Sequence, residues 1–279
     1  MSTGAGDVPA RGEPAMPPEA ERYVAETERR AAAIDWSAML VWRDVACGPG
    51  PHQRLNVFAP KATRAAPLPI LFYVHGGGWT HGCRSWMEFM APAAAALPAV
   101  FVSPGYGLAP DHLHPSPVLD CLRALAHART HAAEFGGDPD RLYIGGHSVG
   151  GHIASMIALR PDLRARFHLP DGAIRACIPV SGLFRVLAGD PTGATDLDEA
   201  SPVHWTGNAD MPFHVSWGEN DYERIIEENR EFTNALRETN VDLRAEPLAG
   251  LDHYSANLSN GDRDGAWCRA LRDLMRRTA

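Results

Sequence analysis

Cysteine is scarce in this 279-residue chain: there are five, at positions 47, 83, 121, 177 and 268. The number is odd, the spacings are wide, and no C-x-x-C pair occurs. That argues against a disulfide framework and against a zinc ribbon, and it fits the reduced thiols of a cytoplasmic protein. Cys177, inside an apolar run, reads as core packing. No apolar run reaches the roughly 18 residues that a membrane-spanning helix needs. Residues 1–17 are rich in Gly, Pro and Ala and lack the apolar centre of a signal peptide, so they read as a disordered leader. Basic charge is in deficit as well: 26 Lys and Arg stand against 34 Asp and Glu, a net charge of −8. Nucleic acid and anionic membrane are therefore disfavoured as partners. There is no H-E-x-x-H and no clustered Cys/His ligand set, so no metal and no cofactor is expected.

What remains is a composition of 45% hydrophobic and 22% charged residues, that of a globular chain able to bury its own core. Residues 18–279 read as one domain. Helical patterns over 18–34, 85–97, 115–131, 223–238 and 265–276 alternate with short apolar runs at 69–74, 99–102, 141–145, 174–180, 212–217 and 241–248. Two extended segments, 39–45 and 54–58, flank the Gly48-Pro49-Gly50-Pro51 turn. Strands alternating with helices indicate an α/β fold with a mostly parallel central sheet and helices on both faces. The irregular, polar segment 181–210 reads as a small lid.

The chemistry concentrates at Gly146-His147-Ser148-Val149-Gly150, between a strand pattern and a helix pattern. A serine on such a turn has its hydroxyl exposed at the carboxyl end of the sheet. Ser148 is therefore the candidate nucleophile. A serine needs a base, and the base needs an orienting acid. Two later loops at strand ends supply both. His253, in Gly250-Leu251-Asp252-His253, is the candidate base. Asp221, in Gly218-Glu219-Asn220-Asp221, is the candidate acid, with Glu219 and then Asp252 as rivals. His147 and His152 flank the turn and read as environment. The string His75-Gly76-Gly77-Gly78-Trp79 follows another strand. Glycines there let backbone N–H groups approach a developing oxyanion, and the hole is assigned to the N–H groups of Gly77, Gly78 and Val149. The His75 side chain reads as holding that loop. A phosphate-binding reading of the same glycines wants a Lys-Ser/Thr ending or G-x-G-x-x-G spacing, and neither is present.

These residues identify a resemblance. The chain resembles the α/β-hydrolase fold family over roughly residues 40–277. Its HGGGW and GHSVGGH strings, Ser181-Gly182-Leu183-Phe184, the stretch from Glu223 to Phe232, and Gly250-Leu251-Asp252-His253-Tyr254 look like the kynurenine formamidase (arylformamidase) branch. Gly105-Tyr106-Gly107-Leu108-Ala109-Pro110 is similar to a stretch of hormone-sensitive-lipase-like esterases, a branch that usually has Asp-Ser-Ala where this chain has His147-Ser148-Val149. Both branches imply a cofactor-free serine hydrolase acting through an acyl-enzyme on a small-molecule ester or amide, arylformamides included. A non-catalytic ligand receptor on the same fold is the alternative class. Trp79, Tyr106, Phe184, Trp205 and Tyr254 are the candidate pocket residues, with core packing as their competing role. The sequence is compatible with an oligomer and does not select an acyl group.

Overall fold

A computed structural model describes residues 15–61 and 66–278. The leader expected over 1–17 lies outside the described residues except for Ala15, Met16 and Pro17.

The third strand, β3 (Leu68–Val74), has all seven residues buried, which requires cover on both faces. Its side chains alternate accordingly: Ile70, Phe72 and Val74 enter one core cluster, Leu71 and Tyr73 the other. Around it stand β1 (Met39–Ala46), β2 (Arg54–Pro60), β4 (Val100–Pro104), β5 (Gly137–His147), β6 (Ile174–Val180), β7 (Phe213–Gly218) and β8 (Leu243–Leu248). They form one eight-stranded sheet in the order β1-β2-β4-β3-β5-β6-β7-β8. The β1–β2 and β2–β4 pairs are antiparallel. From β4 to β8 every pair is parallel. The sheet is thus mostly parallel, as the alternation of patterns predicts.

One face is covered by α3 (Ser116–Thr130), α4 (Val149–Leu159), α5 (Pro161–Arg166) and α6 (Glu223–Arg237). The other is covered by α1 (Pro18–Ala32), α2 (Ala91–Ala96), α7 (His253–Leu258) and α8 (Ala266–Arg277). All eleven residues of α4 are buried, so the helix behind Ser148 is wedged inside the core.

Three local expectations change. The single helix predicted over 85–97 is a 3₁₀ turn, Arg84–Met90, followed by α2. Pro92 explains the break: without an N–H it is tolerated only in the first turn of a helix, so α2 starts there. The loop predicted to carry His253 turns at once into α7. Asp252 caps that helix by accepting from Ser255 N (2.8 Å), while Asp252 N donates to Ser255 Oγ (2.8 Å). The short α5 follows α4 with Pro161 at its first turn.

Candidate active site

Ser148 sits where β5 stops and α4 starts. Its φ of 55° and ψ of −121° lie outside the regions an L-residue ordinarily occupies. The turn is held by neighbours that leave it no alternative. Ser148 N donates to Val180 O on β6 (3.0 Å), and Ser148 O accepts from Gly151 N (2.9 Å) and His152 N (3.1 Å). A Cβ on Gly150 would collide with Val74 O of β3. The glycine there is a packing requirement of the helix crossing close over the strand. Ser148 remains 8% exposed and lines a cavity of about 470 Å³.

The loops after β7 and β8 meet at that cavity. His253 Nδ1 lies 2.8 Å from Asp221 Oδ1. A carboxylate only accepts, so Nδ1 carries the proton and Nε2 is left bare. Tyr222 N donates to the same carboxylate oxygen (2.8 Å). Burial by itself would raise the Asp221 carboxyl. The hydrogen bond from His253, the positive charge His253 can take, and the nearby Ser181 hydroxyl outweigh it, and the net displacement is downward. The carboxylate form is thereby favoured. His253 and Ser148 line the same cavity; no hydrogen bond joins their side chains among the described residues.

The rival acids have other work. Asp252 is the helix cap described above, and Glu219 accepts from Gly250 N (2.8 Å), which closes the turn before His253. His152 points away, with Nε2 donating to Ala200 O (2.8 Å). His147 Nε2 donates to His253 O (2.8 Å).

The His75-Gly76-Gly77-Gly78 loop runs along the cavity beside Ser148. Gly77 has φ 124°, and a Cβ there would also strike His81 O, so only glycine fits. Gly77 O accepts from Thr80 N (3.2 Å) and His81 N (2.9 Å), which fixes the loop as a turn. The N–H groups of Gly77, Gly78 and Val149 meet no protein acceptor among the described residues. Val149 is moreover the first residue of α4, at the positive end of that helix. Behind the loop, the His75 ring stacks on Tyr106 (4.3 Å, 12°), and Tyr106 OH donates to His75 O (3.1 Å). Burial holds the His75 imidazole neutral, pushed down to about 4.

Residues 71–206 match the sequence profile of a family described as having the alpha/beta hydrolase fold. Solved structures agree in architecture. Esterase B from Lactobacillus rhamnosis superposes with a TM-score of 0.76 at 19% identity, covering 93% of each chain. The hyperthermophilic esterase from Pyrobaculum calidifontis superposes with a TM-score of 0.74 at 19% identity, again over 93% of each chain. The chain has the α/β-hydrolase fold. Among sequence relatives, esterase LipC of Mycobacterium tuberculosis is 29% identical over 257 residues, covering 82% of this chain and 63% of LipC. Carboxylesterase NlhH of the same species is 41% identical over 105 residues, covering 37% of this chain and 33% of NlhH. The chain thus spans less than two thirds of the length of these curated relatives.

Within this α/β-hydrolase fold the expected pocket list needs correction. Tyr254 lines the cavity. Trp79, Tyr106, Phe184 and Trp205 are not part of its lining. The Trp79 ring packs edge-on against His152 (5.5 Å). Tyr106 is spent on His75. Phe184 is fully buried and stacks on Phe232 (3.9 Å). Trp205 donates to Glu199 O (2.9 Å) under the Arg160 guanidinium (4.2 Å). Each is held by core or loop packing. The aromatic lining comes instead from Tyr23 of α1, Trp86, Tyr222 and Tyr254. Tyr222 follows Asp221 directly, so the acid loop carried that signal. Nothing local marks Tyr23 or Trp86.

The 181–210 segment contributes only Leu183 to this lining. It is fastened to α6: Glu228 accepts from Phe184 N (2.7 Å) and Arg185 N (3.0 Å), and Asn229 Nδ2 donates to Gly182 O (2.9 Å). Arg224, the charged residue of the lining, is consumed by Asp190 (2.7 Å) and Glu228 (2.7 Å). Among the described residues no group of three or more His, Cys, Asp or Glu is arranged to hold a metal. No described helix is long and apolar enough to cross a membrane.

Proposed function

We propose that the chain hydrolyses small, uncharged carboxylic esters through an acyl-enzyme on Ser148. The observation that carries this reading is the joint placement of a strained Ser148, a His253–Asp221 pair and a glycine loop around one cavity. Named sequence relatives are esterases. Ser148 Oγ gives its proton to Nε2 of His253 as it attacks the ester carbonyl. Asp221 stabilises the imidazolium that forms. The N–H groups of Gly77, Gly78 and Val149 receive the oxyanion, aided by the α4 dipole. His253 then returns the proton to the departing alcohol. A water molecule, deprotonated by the same imidazole, attacks the acyl-enzyme and frees the acid.

Substrate preference follows from the walls. Tyr23, Trp86, Tyr222 and Tyr254 offer ring faces, and the nearby guanidinium of Arg224 is already neutralised by its carboxylates. A planar apolar group fits such a surface better than an anion does. The same walls favour a second reading, hydrolysis of arylformamides, because the tetrahedral chemistry is identical and the leaving amine is aromatic.

Purified protein treated with a fluorophosphonate probe and examined by intact mass is expected to gain one adduct, located at Ser148 and absent from Ser148→Ala. Turnover of p-nitrophenyl acetate, phenyl acetate and N-formylkynurenine then ranks the two readings. A chain that takes no adduct and turns over none of the three would be a ligand receptor on a hydrolase frame.

A further inference from the structure

His147 joins the two halves of the site. Its backbone immediately precedes Ser148, and its side chain reaches the base. His147 Nε2 lies 2.8 Å from the main-chain oxygen of His253. A carbonyl oxygen only accepts, so Nε2 holds the proton and the ring donates. The His147 and His253 rings lie 4.6 Å apart at 45°. Tyr23 packs against His147 at 6.0 Å. His147 is 2% exposed. Around the His253 imidazole stand four groups: Asp221 on Nδ1, and the rings of His147, Tyr222 (5.0 Å) and Tyr254 (5.2 Å). Of these only His147 is continuous in chain with the nucleophile.

We infer that His147 is a positioning residue for His253, tying the main chain of the base to the residue that precedes the nucleophile and so setting the Ser148–His253 separation. The inference rests on the esterase reading for its catalytic consequence. The physical argument is one of reach. Ser148 and His253 belong to segments more than a hundred residues apart, and the two loops meet only by packing. One hydrogen bond through a rigid ring adds a short mechanical link between them. Proton transfer tolerates little error in that separation, since a displacement of about 1 Å can cost on the order of 100-fold in rate. Burial and the neighbouring His253 both push the His147 imidazole well down, so it stays a neutral donor and does not compete as a base.

The competing role is plain filling of space. Leucine at 147 keeps the bulk and removes the donor. Glutamine places its amide nitrogen about where Nε2 now lies. Asparagine has the same chemistry but is one methylene shorter and does not reach. Positioning predicts that H147L and H147N lose about 10- to 100-fold in kcat on p-nitrophenyl acetate with KM within about 2-fold, and that H147Q recovers to within about 5-fold. Proton NMR supplies a readout that needs no turnover. The low-field resonance of the His253 Nδ1–H bound to Asp221 should be sharp in the parent and in H147Q, and broadened or lost in H147N and H147L. Thermal unfolding verifies that each variant is folded, and the Gln/Asn pair carries the test if H147L is not. Unchanged kcat in H147N with the low-field resonance intact overturns the inference. So does a rise in KM at constant kcat, which would make His147 a substrate contact. If the parent turns over no ester, the proposed function fails, yet the NMR comparison still decides the role of His147.

Discussion

Ser148 and Tyr23 line the same cavity, yet they reach it in different ways. Ser148 is delivered by backbone: a strand buried in the middle of the sheet, a turn closed by glycine, and a helix buried along its whole length. Tyr23 is delivered by a side chain from the first described helix, and its hydroxyl accepts from Asn257 Nδ2 on α7 (2.7 Å). Asn257 in turn accepts from Tyr73 OH of β3 (3.0 Å). The first arrangement leaves almost nothing adjustable. The second is a set of rings brought together from distant elements, Tyr23 and Tyr254 at 5.2 Å and Tyr222 and Tyr254 at 6.5 Å. Chemistry that is intolerant of displacement belongs on the rigid part, and selection among substrates belongs on the part where a side chain can change without moving the sheet.

The contrast breaks most visibly at the acid. Asp221→Asn is expected to lower kcat by about 10⁴-fold, because an amide at that place favours the wrong tautomer of His253. Glu219→Gln, which alters only the clamp on Gly250, should stay within about 5-fold; steady-state kinetics on one ester separates the two. A large loss in Glu219→Gln with little change in Asp221→Asn would make Glu219 the acid.

Gly150→Ala tests the rigid part by stability. The added methyl meets Val74 O with no flexible atom to yield, and the expected cost is about 1–3 kcal/mol, read from chemical denaturation. A smaller effect would mean that the elbow relaxes.

Acid should loosen the same region first. Burial pushes His75 and His152 down to about 4, whereas an unfolded histidine titrates near its ordinary value of about 6.5. Between those values the unfolded chain binds more protons, so stability is complete above about 6.5 and falls as the pH drops towards 4. His152→Gln keeps a donor for Ala200 O and removes one titration. It should flatten the dependence of unfolding free energy on pH by about 1.4 kcal/mol per pH unit.

The aromatic wall should give the smallest effects and the most selective ones. Tyr254→Ala is expected to reduce kcat/KM for phenyl acetate by about 5- to 10-fold, the equivalent of one lost ring contact of about 1 kcal/mol. Acetate esters of short alkyl alcohols should be nearly unaffected. Equal losses on both would mean that Tyr254 acts through His253, whose ring it flanks.

The elbow, the glycine loop and the candidate acid and base can be picked out from the sequence alone, and for one reason. Each lies within a few residues of a strand end, and the parallel sheet that the alternating patterns predict gathers those ends on one edge. Gly150 and Gly77 stand where any side chain would collide, so the fold's need is written into residue type. The pocket was not legible. Trp79, Tyr106, Phe184 and Trp205 sit near strand ends in sequence, but their rings are claimed by His152, His75, Phe232 and Arg160. Tyr23 and Trp86 carry no local mark and reach the cavity only because the α1 face packs over the 84–90 turn. The cap at Asp252 does have a local signal, Ser255 three residues on, beside the candidate base.

By itself the sequence determined the order of elements and the candidate chemistry, because strand ends, turn glycines and the nucleophile–acid–base order are local or one-dimensional properties. Which rings face the cavity, and that His147 bonds to the main chain of His253, only the tertiary structure decided, since side-chain direction at such places depends on what packs behind it from elsewhere in the chain.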